Sequence, residues 1–299
     1  MDKPIIIVGT GRCGSTLLHR VLARHDDVGW LSTFNEVLPG QTWLSVFSTA
    51  YRWPLPARVR HLKGFPKPYE AYRFWEHYMP GFSRRDRPLT AEDVLPPAIP
   101  PVRRATERIL AAQRKPRLLV KITGWSRIAY FDRIYPDAVF VWLKRDPRSV
   151  VSSWVQAGWL DVTSPPESER WQWGHVPAPY HDLWRELGGG PLLSVAVKMR
   201  LDLDDIAANM ALFPNRGHEL WYEDLVSQPE PTLRSLCRFC ELDWTPGFQR
   251  VVRGLPIYDS SQRWRQHLSE EQGNRILEFF RKTDAMAKVP GEIDRTAAP

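Results

Sequence analysis

The run GTGRCGST, from Gly9 to Thr16, sits directly behind the apolar segment Ile5-Ile6-Ile7-Val8. A glycine-rich turn between a strand and a helix lets backbone N–H groups converge on an anion, and the helix dipole adds to their field. The spacing fits G-x-x-x-x-G-x-[ST], yet Ser15 stands where a nucleoside-triphosphate loop carries its lysine. The cation has moved to Arg12, ahead of the second glycine, and would meet an anion from the other side of the loop. Gly9, Gly11 and Gly14 also match GxGxxG. A dinucleotide fold wants an acidic residue about 20 positions further on. Asp26 and Asp27 come too early for that, and Glu36 falls past the expected end of the second strand.

A second constellation lies in VWLKRDPRSVVSSW. Arg145 closes an apolar run, and Ser153 follows eight residues later inside the next helix. An arginine at a strand end and a hydroxyl two turns into the following helix can face one anion. Taken alone, Arg145 reads as a surface ion pair with Asp146. Taken with the first loop, it makes a two-anion site.

With both motifs in order, the chain resembles sulfotransferases that use 3′-phosphoadenosine 5′-phosphosulfate (PAPS), of the bacterial and Golgi type. GTGRCGSTLL is similar to that family's 5′-phosphosulfate loop, and RDPRSVVSSW to its 3′-phosphate motif. WYEDLVSQPEPTLRSLCRFCEL and SSQRWRQHLSEEQ resemble two later segments. The resemblance implies a P-loop fold of sulfotransferase type and transfer of a sulfuryl group to a hydroxyl or amine, with adenosine 3′,5′-bisphosphate leaving. It also implies that Arg12 neutralises the bridging and leaving oxygens. The loop Cys13, Gly14, Ser15, Thr16 and Leu17 would cradle the 5′-phosphate through N–H and hydroxyl groups. Arg145 and Ser153 would bind the 3′-phosphate, with Arg263 and Arg265 as further candidates, and Tyr222 would lie near the adenine. No metal is required, because there are no β- and γ-phosphates to clamp.

The general base departs from part of the family. Cytosolic members carry histidine in a Lys-Thr-His segment on the third strand, and here VKITGW has Thr123 at that place. Golgi-type and several bacterial members use a glutamate roughly two dozen residues after the loop cation, which points to Glu36 in STFNEVLPG. A carboxylate can take the acceptor proton as the transition state forms. His19, read as an exposed helix residue, and His175 and His181 are rivals, and Lys121 could assist at the sulfuryl oxygens. Two other readings compete. An ATP-dependent P-loop kinase should carry lysine after Gly14 and require magnesium. A non-catalytic nucleotide-binding module would bind the bisphosphate and transfer nothing.

The elements that must position these residues alternate. Strands are expected at 4–9, around 28–31, and in RLLVKI, AVFVWLK and HELWYEDL. Helices are expected in STLLHRVLARH, RATERILAAQ, WSRIAYFDRIYP, DPRSVVSSWVQAG, LLSVAVKMRLDLDDIAANMALF, PTLRSLCRFCEL and near 269–287. This is the pattern of an α/β fold with a mostly parallel central sheet covered on both faces. One domain, 1–299, is expected, with helical and loop inserts at 41–114 and 159–191 that would line the acceptor site. The chain has 299 residues, a net charge of +7 and 14 tryptophans, several of them in those inserts. Aromatic faces beside a nucleotide site suit small-molecule, sugar or lipid hydroxyl acceptors. No basic arm suggests nucleic acid. Three cysteines without a framework, and no leader or spanning segment, fit a cytoplasmic protein. Cys237 and Cys240, although spaced CxxC, read as buried positions on one amphipathic helix.

Overall fold

The computed structural model describes residues 3–53, 55–60, 62, 64–159, 164–255 and 257–287. Residues 160–163 of the second expected insert and the end of the chain from 288 lie outside them. The strands are β1 (Ile5–Gly9), β2 (Val28–Trp30), β3 (Arg117–Thr123), β4 (Val139–Lys144) and β5 (Gly217–Trp221). They form one sheet in the order β2-β3-β1-β4-β5, and every pairing is parallel.

Alternation along β1 sends its side chains to opposite faces. Ile6 and Val8 join Val120, Ile122, Phe140 and Trp142 under the helices Tyr72–Tyr78, Ile99–Gln113 and Ile128–Ile134. Ile5 and Ile7 join Leu119, Val141 and Leu143 under the helices Ser15–Leu22 and Pro229–Phe239. Burying each such side chain on both faces is worth about 1.5–3 kcal/mol and fixes the sheet between two helical layers. A third apolar cluster joins the helices Pro147–Gln156, Ala178–Glu186, Pro191–Ala211 and Glu270–Ala287. At the outer edge, the Gln113 side chain accepts from the Trp30 N–H at 3.1 Å and donates to its carbonyl at 2.7 Å, closing β2 to further pairing.

The order places the site. From β1 the chain moves to one side for β2 and β3, then to the other for β4 and β5. A crevice opens at such a switch point beyond the strand ends. Gly9 pairs with Thr123 and Val8 with Trp142, so the loops after β1, β3 and β4 rise together.

Three details differ from the sequence reading. HELWYEDL is a strand only to Trp221. Glu223 and Asp224 stand in the first turn of the helix Tyr222–Ser227, where the dipole favours acids. Ala178–Glu186 is a helix inside the Trp-, Pro- and Gly-rich insert 159–191, and Pro246–Arg253 is a helix in a stretch for which the sequence reading named no element. Their prolines lie in the first turn, where the missing N–H costs nothing, and so begin these helices instead of breaking them.

Candidate active site

Gly9-to-Gly14 turns sharply between β1 and the helix Ser15–Leu22. Arg12 and Gly14 hold left-handed backbone conformations, φ 69° and 93°. A Cβ on Gly14 would lie 2.3 Å from the Tyr222 ring, and one on Gly9 would meet the Leu143 carbonyl and the Cys13 sulfur. The loop is therefore seated against the end of β4 and the start of the Tyr222–Ser227 helix. Leu17 N–H donates to the Gly14 carbonyl, which leaves Gly14, Ser15 and Thr16 as the heads of the turn. Gly14→Ala combines a left-handed penalty of about 1–2 kcal/mol with overpacking of about 1–3 kcal/mol. It should lower stability by about 3 kcal/mol in denaturant titration; a midpoint equal to the parent's would contradict this packing.

Arg12 and Arg145 meet above the loop. Arg12 Nε donates to Ser153 Oγ at 2.9 Å, and its guanidinium lies 5.2 Å from the Trp159 ring centre. Arg145 donates to the Arg12 carbonyl at 3.1 Å and to Ser260 Oγ at 3.0 Å, and lies 4.1 Å over the Tyr222 ring. Tyr222 and Ser260 share a hydroxyl–hydroxyl bond of 2.8 Å. Partial burial, and then the neighbouring Arg145, hold the Arg12 pKa below its usual value. Among the described residues, neither guanidinium has a carboxylate at ion-pair distance, and Arg145 Nε is buried without a hydrogen-bond partner. Asp146 does not pair with Arg145. Its carboxylate caps the helix Pro147–Gln156 and holds Arg148 at 2.7 Å. Two unneutralised cations and an orphaned buried donor make this a candidate anion site.

The second half of the site is a cleft of about 540 Å³ bordered by Gly11. Its walls include Tyr72, Trp125, Trp154, Trp159 and Trp173, with Arg84, Arg85 and Lys198 among the cations and Glu70 as an acid. Lys121 Nζ reaches Thr16 Oγ1 at 3.1 Å and the Glu70 carboxylate at 2.9 Å, and Thr123 Oγ1 donates to Glu70 at 2.9 Å. Glu70 thus joins the phosphate loop to the cleft through Lys121. It is followed by Ala71 at φ 54°, a non-glycine left-handed residue of the kind that gathers at functional sites.

The structure does not bring Glu36 to the loop. Its carboxylate accepts from Arg73 N–H at 3.0 Å, at the start of the helix Tyr72–Tyr78. His19 is not an exposed helix residue. It is fully buried on the inner face of Ser15–Leu22, and burial, reinforced by Lys121 and Arg20, holds its pKa well below the ordinary imidazole value. His175 is exposed, and His181 stacks on Trp184, 3.6 Å from Glu167. Arg263 is exposed. Arg265 is held by Gln262 at 3.1 Å and by the face of Trp264. Tyr222 is buried beneath Arg145 and does not present an open ring face. Ser260 and Glu70 were missed in the sequence. Glu70 carried a signal, being the one carboxylate between Glu36 and Glu76 in an otherwise basic, aromatic stretch.

The tryptophans divide. Trp159 and Trp173 wall the cleft, Trp75 and Trp184 are core, and Trp43 and Trp53 are exposed. Cys237 and Cys240 are free, buried thiols, as their helical spacing implied. No helix among the described residues is long and apolar enough to cross a membrane.

Comparison with known proteins now bears on this geometry. The omega-hydroxy-beta-dihydromenaquinone-9 sulfotransferases Stf3 of Mycobacterium bovis and Mycobacterium tuberculosis are each 25% identical over 272 residues, covering 79% of this chain and 62% of theirs. The chain thus spans about three fifths of the length of these curated relatives. Among solved structures, sulfotransferase STF9 from Mycobacterium avium aligns with a TM-score of 0.55 at 13% identity, covering 98% of this chain and 78% of that one. The sulfotransferase from Alicyclobacillus acidocaldarius aligns with a TM-score of 0.50 at 15% identity over 100% of each chain. At these identities the structural likeness shows the fold alone. The sequence model of the Sulfotransferase family matches residues 4–246. This chain, with its glycine loop, its paired arginines and its all-parallel sheet, belongs to the Sulfotransferase family.

Proposed function

We propose that the protein moves a sulfuryl group from PAPS to a hydroxyl, or an amine, of a small-molecule, sugar or lipid acceptor by in-line displacement. The observation that carries this reading is the Arg12–Arg145 pair, held through Ser153 and the Arg12 carbonyl above a glycine loop. A 5′-phosphosulfate and a 3′-phosphate supply the two anions that such a pair asks for. When bound, the nucleotide supplies an electrophilic sulfur on a good leaving group. Arg12, the N–H groups of Gly14, Ser15 and Thr16, and Lys121 hold the loop end. Arg145, with Ser153 and Ser260, holds the 3′ end. Glu70 takes the acceptor proton as the acceptor oxygen bonds to sulfur and the bridging S–O bond breaks, its electron pair leaving on the 5′-phosphate. The protein's contribution is position and charge, with little covalent chemistry of its own. The reading asks for no metal, because Arg12, Arg145 and Lys121 carry the charge required.

Both inserts take part in the acceptor site. The first, 41–114, contributes Glu70, Tyr72, Arg84 and Arg85 to the cleft, and the second, 159–191, contributes Trp159, Gln172 and Trp173. Aromatic faces near a single carboxylate suit a flat or apolar acceptor presenting one hydroxyl. Three unpaired cysteines support a reducing, cytoplasmic setting for this activity.

Thermal denaturation with added nucleotides tests the reading. Adenosine 3′,5′-bisphosphate should raise the midpoint through mass action, 5′-AMP should not, and Arg145→Ala should abolish the shift. A shift with ATP–magnesium alone would replace the proposal with kinase chemistry. Bisphosphate binding without transfer to any acceptor would favour a non-catalytic nucleotide module.

A further inference from the structure

The segment Thr42–Arg52 is a 3₁₀ helix, and three residues per turn give it two faces. The polar face points inward. Ser45 and Ser48 are both 0% exposed, and Thr42 is buried beside them. The apolar face points outward, with Trp43 and Phe47 at 60% and 53% exposure and Val46 between them. This inverts the arrangement expected of a surface helix, which turns its apolar stripe to the core. The outward side chains form one patch. The Phe47 ring lies 6.2 Å from Trp43 and 6.5 Å from Phe34. Exposed Val37 and Leu38 come from the stretch just before the insert, and exposed Leu62 from within it. A cluster of this kind on a water-facing surface marks something that covers it.

The charge pattern identifies the cover. Between Glu36 and Glu70 the sequence has no carboxylate, while it carries Arg52, Arg58, Arg60, Lys63 and Lys67. Arg58 is exposed, Lys67 half-buried, and exposed Arg73 follows beside Glu36. Arg52 is turned inward onto the carbonyls of Ala23, His25 and Val28, so it anchors the insert. Aromatic and aliphatic knobs in a stretch whose charged residues are all basic match an anionic bilayer surface. There the rings enter the headgroup boundary and the cations meet lipid phosphates. We infer that this face of the insert docks the protein peripherally on anionic membranes. Tyr69 of the same insert is also exposed and precedes Glu70 of the cleft. The inference stands apart from the transfer chemistry proposed above and survives its failure.

Vesicle flotation with the full chain tests it. Phosphatidylcholine vesicles containing one third phosphatidylglycerol should carry the protein about tenfold better than pure phosphatidylcholine. High salt should weaken the association. The double variant Trp43→Ser/Phe47→Ser should lose about tenfold in partition, with its thermal midpoint unchanged, since both rings face water. Lys67→Glu, which leaves the rings in place, should reduce the preference for the anionic lipid. Three results would overturn the inference. One is a parent that fails to float with anionic vesicles, and another is a double variant that floats as the parent does. The third is a parent that self-associates in sedimentation, without binding vesicles, through a contact that the same variant abolishes; the face would then belong to a second copy of the chain.

Discussion

Arg12→Ala lowers turnover about 10²–10³-fold, the usual consequence of removing one preorganised group from developing negative charge. Apo stability moves little or rises. Arg12 sits partly buried, and burial, then the neighbouring Arg145, disfavours its charge until an anion arrives. Removing it relieves that repulsion while costing one hydrogen bond to Ser153 and one ring contact with Trp159. Arg12→Lys restores the charge but not the planar fork that holds Ser153 and faces the anion together, so it recovers only part of the rate. Steady-state rates paired with thermal midpoints check the claim. A variant that loses stability and activity in proportion would show that Arg12 is a structural residue of the turn, and the anion site would need another cation.

The second large effect separates two glutamates. Glu70→Gln lowers turnover about 10²–10⁴-fold, the range typical of a lost general base. The amide oxygen can still accept from Thr123, so the fold is retained, while the ion pair with Lys121 is lost. Glu36→Gln stays near the parent rate, because a glutamine oxygen can accept from Arg73 N–H as the carboxylate does. The opposite ranking of the two variants would return the base to Glu36 and leave Glu70 as a partner that orients Lys121.

The contrast explains what was legible. The phosphate loop, the strand–helix alternation and the Asp146–Pro147 helix start depend on residues adjacent in sequence, and all were readable from local spacing. The strand end carrying Arg145 and the helix carrying Ser153 were readable for the same reason, although Ser153 bonds to Arg12 and not to Arg145. The base was not. Glu36 was chosen by interval from Arg12, but the chain between them turns through β2 and a capped helix, and Asn35, not Glu36, is the residue turned inward there. Glu70 is brought to Lys121 by the isolated Ser32–Pro68 bridge and the helix that follows, both of them contacts between separated segments. His19 was misread because Lys121 and the β3 side of the loop cover a helix face that a short apolar stripe leaves ambiguous. Ser260 lies far along the chain from Arg145, and the basic residues near it, Arg263 and Arg265, drew attention that the smaller hydroxyl merits.

The three cysteines bear on how the molecule ages. Cys13 lies in the floor of the phosphate loop, filling space a side chain at Gly9 would need, and Cys237 and Cys240 are sealed in the core. Burial raises all three thiols, the latter two to about 12, so little thiolate is available for oxidants or alkylating agents. The reactive form can be reached only when the surrounding layers part. The speed at which a thiol reagent modifies the intact protein is therefore a clock for opening: the Cys13 signal times the loop, and the Cys237 and Cys240 signals time the helical layer behind the sheet.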